Sequence, residues 1–115
     1  MLFARDLAHD VRSGRLTPLD LVNLCAQAID EHEKDVRAFA VLDLDAARTA
    51  AQAPGQADRP LAGLPFAVKD ILDTRELPTE YNSPIFAGHR PATDAPVVSQ
   101  ARRGGGVLLG KTVTT

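Results

Sequence analysis

The chain contains the run PFAVKDIL at residues 65–72, and a single lysine, Lys69, interrupts its hydrophobic side chains. A lysine is almost never fully buried in a protein unless its ammonium group is paired or used. Burial disfavours the charged form of a lysine and can turn the ammonium into an amine that accepts a proton. A lysine among phenylalanine, valine, isoleucine and leucine is therefore a candidate functional group.

Structural explanations of Lys69 stand beside the functional one. In an extended strand the side chains alternate between two faces, so Lys69 would share a face with Ala67 and Ile71. On an edge strand it would reach solvent and discourage pairing with another sheet. A third explanation is that its methylene groups lie along apolar neighbours while its ammonium group reaches solvent. A fourth is that the ammonium group pairs with the carboxylate of Asp70 or Asp73. Spacing alone favours these structural explanations.

The composition predicts one globular domain. The chain has 115 residues, of which 44% are hydrophobic, and both values are ordinary for a packed domain. A net charge of −2, with scattered Lys and Arg, argues against direct nucleic-acid binding. Cys25 is the only cysteine, and the three histidines have no metal-ligand spacing. We therefore expect no disulfide framework, no metal and no cofactor.

The hydrophobic residues are distributed in short runs. No run approaches the length of a membrane-spanning helix, and the first residues do not form an apolar signal core. We therefore expect a cytoplasmic protein that does not contact a membrane.

Residues 1–53 have the pattern of helices. Thr17 is a good helix cap, and Pro18 suits the first position of the helix that follows. The apolar stripe of that helix includes Cys25, which is therefore expected in the core and not in catalysis. The predicted elements are a helix ending before Ser13-Gly14, a helix starting at Pro18, a strand within 38–42 and a helix at 44–53.

A polar linker at residues 54–60 separates this helical region from residues 61–115. The second region predicts a strand at 66–68, an irregular stretch at 73–92, a helix capped by Asp94 and a strand at 107–109. Helices followed by strands in this order predict an α/β fold with a mixed sheet covered by helices. The whole of residues 1–115 is then part of one domain.

Residues 105–112 read GGVLLGKT, which satisfies the phosphate-loop pattern G-x-x-x-x-G-K-[ST]. A phosphate loop requires a strand before it and a helix that opens at its lysine. Here a predicted helix precedes the glycines, and the loop interior would be three consecutive aliphatic residues. The context therefore excludes nucleotide binding by Lys111 and Thr112.

Several ordered motifs resemble the amidase signature family of amide hydrolases. The family has a Gly-Leu-Pro tripeptide, a short strand, Lys-Asp and then a turn like Gly-Leu-Pro-Thr. This chain has them as LAGLPFAVKDILDT at 61–74 and LPT at 77–79. Ser83-Pro84, Asp94-Ala95 and the segment GVLLGKT at 106–112 continue the resemblance. It extends over roughly residues 1–115, and residues 61–112 carry nearly all of its specificity.

The resemblance implies cleavage of a carbon–nitrogen bond by a Ser–cis-Ser–Lys triad in which Lys69 is the base. A neutral lysine amine takes a proton from the bridging serine, which in turn activates the nucleophilic serine. In the family both serines belong to a glycine- and serine-rich loop beyond Thr115. Neither Ser83 nor Ser99 has that context, so we assign neither as nucleophile. We expect the chain to be the N-terminal part of an amidase, inactive by itself.

The sequence leaves the substrate and the partners open. A small-molecule amide is expected as substrate of a hydrolase, while a transamidating subunit that forms glutaminyl-tRNA would work with partner subunits. A homodimer and a truncated, non-catalytic interaction module are further alternatives. Tyr81, Asn82 and Phe86 lie in the irregular stretch, where they would form the rim of the site or simply pack on the core.

Overall fold

The structure, a computed structural model, describes residues 2–114. In chain order its elements are helix α1 (Ala4–Arg12), helix α2 (Pro18–Val36), strand β1 (Phe39–Leu42), helix α3 (Leu44–Ala51), strand β2 (Pro65–Lys69), helix α4 (Pro96–Arg103) and strand β3 (Val107–Thr112). Single 3₁₀ turns lie at Gln56–Asp58 and Pro84–Phe86. Among the helices described, none is long and apolar enough to cross a membrane.

The start of α2 follows from its sequence. The Thr17 hydroxyl accepts a hydrogen bond from the Asp20 amide at 3.1 Å, and the Asp20 carboxylate accepts one from the Thr17 amide at 2.8 Å. These reciprocal bonds satisfy two amides that the first turn leaves without helical partners. The predicted cap at Thr17 is therefore confirmed. Asp43 caps α3 in a similar way, with its carboxylate 3.0 Å from the Ala46 amide.

The predicted cap of α4 is wrong. The residue before this helix is Ala95, and no side chain bonds to the free amides of the first turn. Asp94 instead accepts a hydrogen bond from the Arg75 amide at 2.8 Å and lies 3.3 Å from the Arg102 guanidinium. The Asp94 carboxylate therefore binds residues distant in sequence and does not cap α4 as predicted. The α3 helix also ends earlier than predicted, at Ala51.

The three strands form one mixed sheet in the order β1-β3-β2. The central strand β3 is antiparallel to β1 and parallel to β2. In the parallel pair Val68 lies opposite Lys111, and Lys69 lies opposite Thr112. The expected α/β fold with a mixed sheet is confirmed, and the described sheet has β1 and β2 as its edges.

Two apolar clusters hold the helices against this sheet. The first joins α2, α3 and β3 through Val22, Ala47, Ala51, Val107 and Leu109. The second joins α1 and α2 to the segment before β2 through Ala8, Val11, Leu21 and Ala62. Small residues dominate both clusters, as expected for a chain with few aromatic residues. Leu24 of α2 belongs to neither cluster, and 43% of it is exposed.

Gly110 permits the close approach of β1 and β3. A Cβ atom at this position would collide with the backbone carbonyl oxygen of Val41. Only glycine therefore fits between the two strands at this point. The residue that follows, Lys111, is consequently held at a fixed place in the centre of the sheet.

Candidate functional site

Lys69 is the last residue of β2, and its side chain is exposed. Its backbone lies opposite Thr112 of the central strand. Among residues 2–114 no side chain forms an ion pair or hydrogen bond with its ammonium group. The burial suggested by the apolar run is therefore not found in the described part of the chain. The edge-strand explanation gives the position of Lys69 correctly.

The two aspartates near Lys69 have other partners. The carboxylate of Asp70 lies 3.1 Å from the Lys111 ammonium, and that of Asp73 accepts a 2.6 Å hydrogen bond from the Tyr81 hydroxyl. The alternative in which Asp70 or Asp73 pairs with Lys69 is therefore wrong. The reason is the alternation of the strand, which directs Lys69 and Asp70 to opposite faces.

The buried lysine of this protein is Lys111, whose side chain is 0% exposed. Its ammonium group has three oxygen partners: Asp70 Oδ1 at 3.1 Å, Thr79 Oγ1 at 2.6 Å and the Pro78 carbonyl at 3.3 Å. An ammonium group has three hydrogens to donate, so its capacity is filled. This pairing is what makes the burial of a charge tolerable.

Asp70 is fixed by its backbone as well as by its carboxylate. Its amide donates to the Thr112 carbonyl at 2.9 Å, and its carbonyl accepts from the Tyr81 amide at 3.1 Å. The Glu80 amide lies 3.3 and 3.4 Å from the two carboxylate oxygens. Every polar group of Asp70 therefore has a partner in the described structure.

Two buried threonines hold the turn that covers Lys111. Thr79 Oγ1 accepts from the Thr74 amide at 3.3 Å, and Thr74 Oγ1 donates to the Leu77 carbonyl at 3.0 Å. The Thr79 amide also donates to the His89 carbonyl at 2.8 Å. The stretch at 73–92, which lacks helix and strand apart from one 3₁₀ turn, is thus anchored from its interior.

Tyr81 and Asn82 lie in a strained turn next to the end of β2. Both residues have a φ of 54°, in the left-handed region that non-glycine residues rarely adopt. The Tyr81 ring contacts the ring of Phe86 edge-on, with centroids 5.1 Å apart, and stacks against His89 at 6.4 Å. The hydrogen bond to Asp73, followed by burial and the nearby carboxylate charges, raises the pKa of the Tyr81 phenol.

The phosphate-loop match is incidental. Residues 107–112 form a strand, and the Lys111 ammonium is enclosed by Asp70, Pro78 and Thr79. A lysine in this position has no access to a phosphate group. Residues 107–112 are therefore a strand and do not form the loop of backbone amides that a phosphate loop requires.

The remaining nucleophilic side chains lie in structural positions. Cys25 packs against the cluster of α2, α3 and β3, and burial raises the pKa of its thiol. The Ser83 hydroxyl accepts a hydrogen bond from the Ile85 amide at 3.4 Å, and Ser99 lies within α4. Neither serine bonds to Lys69 in the described structure. Among residues 2–114, neither of these serines therefore supplies a nucleophile next to Lys69.

The sequence did not identify Lys111 as the paired lysine. Its partner Asp70 directly follows strand β2, and Thr79 belongs to the loop between β2 and β3. The available signal was a strand-like run, Val107 to Leu109, that continues directly into a lysine. That signal does not reveal which side chain faces the lysine, because this depends on the parallel register of β2 and β3.

Comparison with known proteins places the chain in a class. A family model described as Amidase matches residues 20–115, which is most of the chain. The chain therefore belongs to the amidase family. Its fold agrees: 99% of it superposes, with a TM-score of 0.92 and 27% identity, on a protein of a vestigial complex related to an s-triazine catabolic enzyme. The peptide amidase of Stenotrophomonas maltophilia matches 95% of the chain with a TM-score of 0.83 and 28% identity.

Among curated proteins, the chain is similar to A subunits of glutamyl-tRNA(Gln) amidotransferases. The chain is 40% identical over 117 residues to the A subunit of the glutamyl-tRNA(Gln) amidotransferase of Salinispora arenicola, a match that covers 96% of the chain and 24% of that protein. The corresponding protein of Chloroflexus aggregans is 39% identical over 105 residues, covering 86% of the chain and 22% of its own length. The two solved structures are covered to 26% and 24%. The chain thus spans about a quarter of the proteins that it matches.

Proposed function

We propose that the protein containing this chain hydrolyses carboxylic amides, with Lys69 as the catalytic base. The observation that carries the proposal is the difference between Lys69 and Asp70, two adjacent residues at the end of β2 in an amidase fold. Lys69 is exposed there without a carboxylate partner among the described residues, while the adjacent Asp70 is engaged by Lys111. A base needs an unpaired amine, since a neighbouring carboxylate would favour its charged form.

The proposed reaction uses the Ser–cis-Ser–Lys triad that the resemblance implies. The Lys69 amine accepts a proton from the bridging serine, which takes one from the nucleophilic serine. The serine oxygen then bonds to the amide carbon, and the carbon–nitrogen bond breaks as the leaving nitrogen takes a proton. Water afterwards hydrolyses the serine ester and releases the carboxylic acid.

Both serines of the triad are proposed to lie outside the 115 residues. The chain has three serines, of which Ser83 and Ser99 come after Lys69 in the sequence. Ser83 is bonded to a backbone amide in its own turn, and Ser99 is part of α4. The arrangement of these residues supports a nucleophile supplied by a further segment of the protein.

The turn at Tyr81 is proposed to border the substrate. The Tyr81 amide is bonded to Asp70, the residue after the proposed base, so this turn lies beside the end of β2. Strained backbone conformations are costly and often occur at functional sites. The exposed Phe86 and His89 rings beside Tyr81 offer a surface for the substrate.

Transamidation is a second candidate, favoured by one specific observation. The curated relatives named above are A subunits of glutamyl-tRNA(Gln) amidotransferases, at 39% and 40% identity. In such a function the ammonia released from an amide is transferred to a further substrate, with partner subunits. The two candidates share the role proposed for Lys69 and differ in the fate of the ammonia.

The test is ammonia release by the whole protein from glutamine and from acetamide, propionamide and benzamide. We expect release from at least one of these amides, and we expect Lys69→Ala to reduce it about 1000-fold or more. The matched control is Lys34→Ala, which removes an exposed lysine of α2. Full activity in a folded Lys69→Ala protein would contradict the proposed base.

The same assay separates the two candidates. Hydrolysis of simple amides by the purified protein alone supports a hydrolase. Release restricted to glutamine, together with stimulation by partner subunits, supports transamidation. A folded protein that releases ammonia from none of these amides, alone or with partners, would contradict both.

A further inference from the structure

We propose that Lys111 is a positioning residue that binds the Asp70 carboxylate and thereby holds the end of β2, from which Lys69 extends, in a fixed place. This inference rests on the proposed role of Lys69. It assigns a function to a charged side chain that sits in the interior of the fold, where an apolar residue would be the simpler choice. Lys111 acts through Asp70 and does not touch the substrate.

Burial of the charged Lys111 side chain costs free energy of desolvation. Its side chain is 0% exposed, and that of Asp70 is 7% exposed. The desolvation of two such charges commonly offsets what they gain by attraction, so a buried ion pair is poor evidence of stabilisation. The pair therefore calls for another explanation. We explain it by the segments that the Lys111 ammonium holds together.

Three segments of the chain meet at the Lys111 ammonium group. Lys111 belongs to β3, Asp70 follows β2, and Pro78 and Thr79 belong to the covering turn. The ammonium binds one oxygen from each of these three partners. A single side chain thus joins the central strand, the end of the proposed catalytic strand and the turn that leads to Tyr81.

Lys69 and Lys111 extend from the sheet in opposite directions. Val68 lies opposite Lys111, and Lys69 lies opposite Thr112, in a parallel pair. Because successive side chains of a strand point to opposite faces, Lys69 and Lys111 extend from opposite faces of the sheet. Asp70 shares the face of Val68, which brings its carboxylate to Lys111. The pair therefore lies behind Lys69 and does not block it.

The Asp70 carboxylate depends on Lys111 for the compensation of its charge. Without Lys111, this carboxylate would keep only the amide of Glu80, at 3.3 Å or more. A buried carboxylate with so little compensation is unfavourable, and it is expected to move towards water. Lys69 is the adjacent residue, so such a movement of Asp70 would also displace the backbone of Lys69. Lys111 prevents that movement, and the backbone bonds of Asp70 keep the backbone of Lys69 in place.

The experiment compares Lys111→Met, Asp70→Asn in the Lys111→Met background, and Lys34→Met as the matched control. The whole protein is used, with ammonia release from the best amide identified for it, and rates are expressed per folded molecule by near-ultraviolet circular dichroism. We expect Lys111→Met to lower kcat by about 10- to 100-fold, because a small misplacement of a reacting group has effects of this size. KM should stay within about twofold.

The double variant provides the readout that a merely structural role would not move. Asp70→Asn removes the unpaired buried charge that would displace the end of β2, so it should restore part of the kcat lost in Lys111→Met. Lys34→Met should keep the original kcat. A folded Lys111→Met protein with unchanged kcat would overturn the inference, as would a double variant that shows no recovery.

Thr79 keeps the inference testable if Lys111→Met does not fold. Thr79→Val removes the 2.6 Å hydroxyl contact of Lys111 and leaves its ion pair in place. We expect a smaller loss of kcat in this variant and rescue by Thr79→Ser, which keeps the hydroxyl. Equal kcat in the valine and serine variants would overturn the inference.

Lys69→Ala, measured in parallel, separates this inference from the proposed function. An active Lys69→Ala protein contradicts the base itself. An inactive Lys69→Ala protein with a fully active Lys111→Met protein contradicts only the positioning role of Lys111.

Discussion

The ends of the two parallel strands each carry a lysine, and the two lysines have opposite surroundings. Lys69 ends β2 at the edge of the described sheet, where its side chain is exposed. Lys111 is the next-to-last residue of the central strand β3 and is completely enclosed. Their backbones are one register position apart. Position within the sheet, and not the local apolar sequence, therefore decides which lysine is buried.

The two lysines also differ in their carboxylate partners. Asp70 directly follows Lys69 in sequence, yet it pairs with Lys111. Strand alternation separates neighbours and joins residues that face the same side. One lysine is thus held by charge and hydrogen bonds, and the other is left without a described partner.

The largest expected effect on stability comes from Lys111→Met. This change leaves the buried Asp70 carboxylate without its cation, which typically costs about 3–5 kcal/mol in the free energy of unfolding. Urea denaturation followed by circular dichroism measures it, with Lys34→Met as the control. A cost below about 1 kcal/mol, the usual value of an exposed pair, would contradict the burial of this pair.

The same measurement on Asp70→Leu combined with Lys111→Met sharpens the first prediction. Well-packed apolar residues in place of both charges are often neutral or stabilising. We therefore expect the double variant to recover much of the stability lost in Lys111→Met. A double variant less stable than the single one would show that the cost comes from lost packing and not from the unpaired carboxylate.

A second prediction concerns chemical access to the amines. Acetylation of the protein with acetic anhydride should modify Lys69 and Lys34 readily, because both side chains are exposed. Lys111 should react on the order of 100-fold more slowly, since its ammonium reacts only after local opening. Mass spectrometry of the digested protein measures the three rates. Protection of Lys69 equal to that of Lys111 would mean that a segment outside residues 2–114 covers it.

A third, smaller effect is expected from Thr79→Val. The change removes an acceptor for Lys111 and for the Thr74 amide, both of them buried contacts. Leaving such donors unsatisfied costs about 1–3 kcal/mol. Thermal unfolding measures the loss, and Thr79→Ser should retain most of the stability. Equal destabilisation by serine and valine would show that the loss comes from altered packing and not from the hydrogen bonds of the hydroxyl.

The smallest effect is expected from Lys69→Met. An exposed residue without partners in the described structure contributes little to stability, so the change should stay within about 0.5 kcal/mol. This result, combined with a large loss of activity in Lys69→Ala, would separate catalysis from folding. A loss of several kcal/mol would contradict the exposed, unpaired position of Lys69.

The fold was predictable where local signals decide it. Thr17 and Pro18 start α2, the glycines at 104–106 follow α4, and the apolar runs form β2 and β3. Local signals failed at Asp94, whose carboxylate binds Arg75 and Arg102 across the molecule. Local signals fail here because helix capping competes with distant partners for the same carboxylate, and the sequence does not reveal those partners.

The candidate site was predictable only in part. The motifs pointed to Lys69, and its proposed role depends on the family resemblance and not on its burial. The network of Lys111, Asp70 and Thr79 requires the parallel register of two strands and the path of a long loop. Each of these is set by contacts between residues far apart in sequence, so periodicity and local propensity carry no information about them.

The Lys111–Asp70 pair also has a consequence for the order of folding during synthesis. Asp70 leaves the ribosome roughly forty residues before its partner, which corresponds to a few seconds at ordinary elongation rates. Until β3 is made, β2 has no strand partner in the described sheet, and the Asp70 carboxylate has no Lys111 with which to pair. The arrival of Lys111 therefore marks the moment at which the strand bearing Lys69 becomes fixed. Pairing across such a separation is slow compared with helix formation, so the helices α1 to α3 should form first.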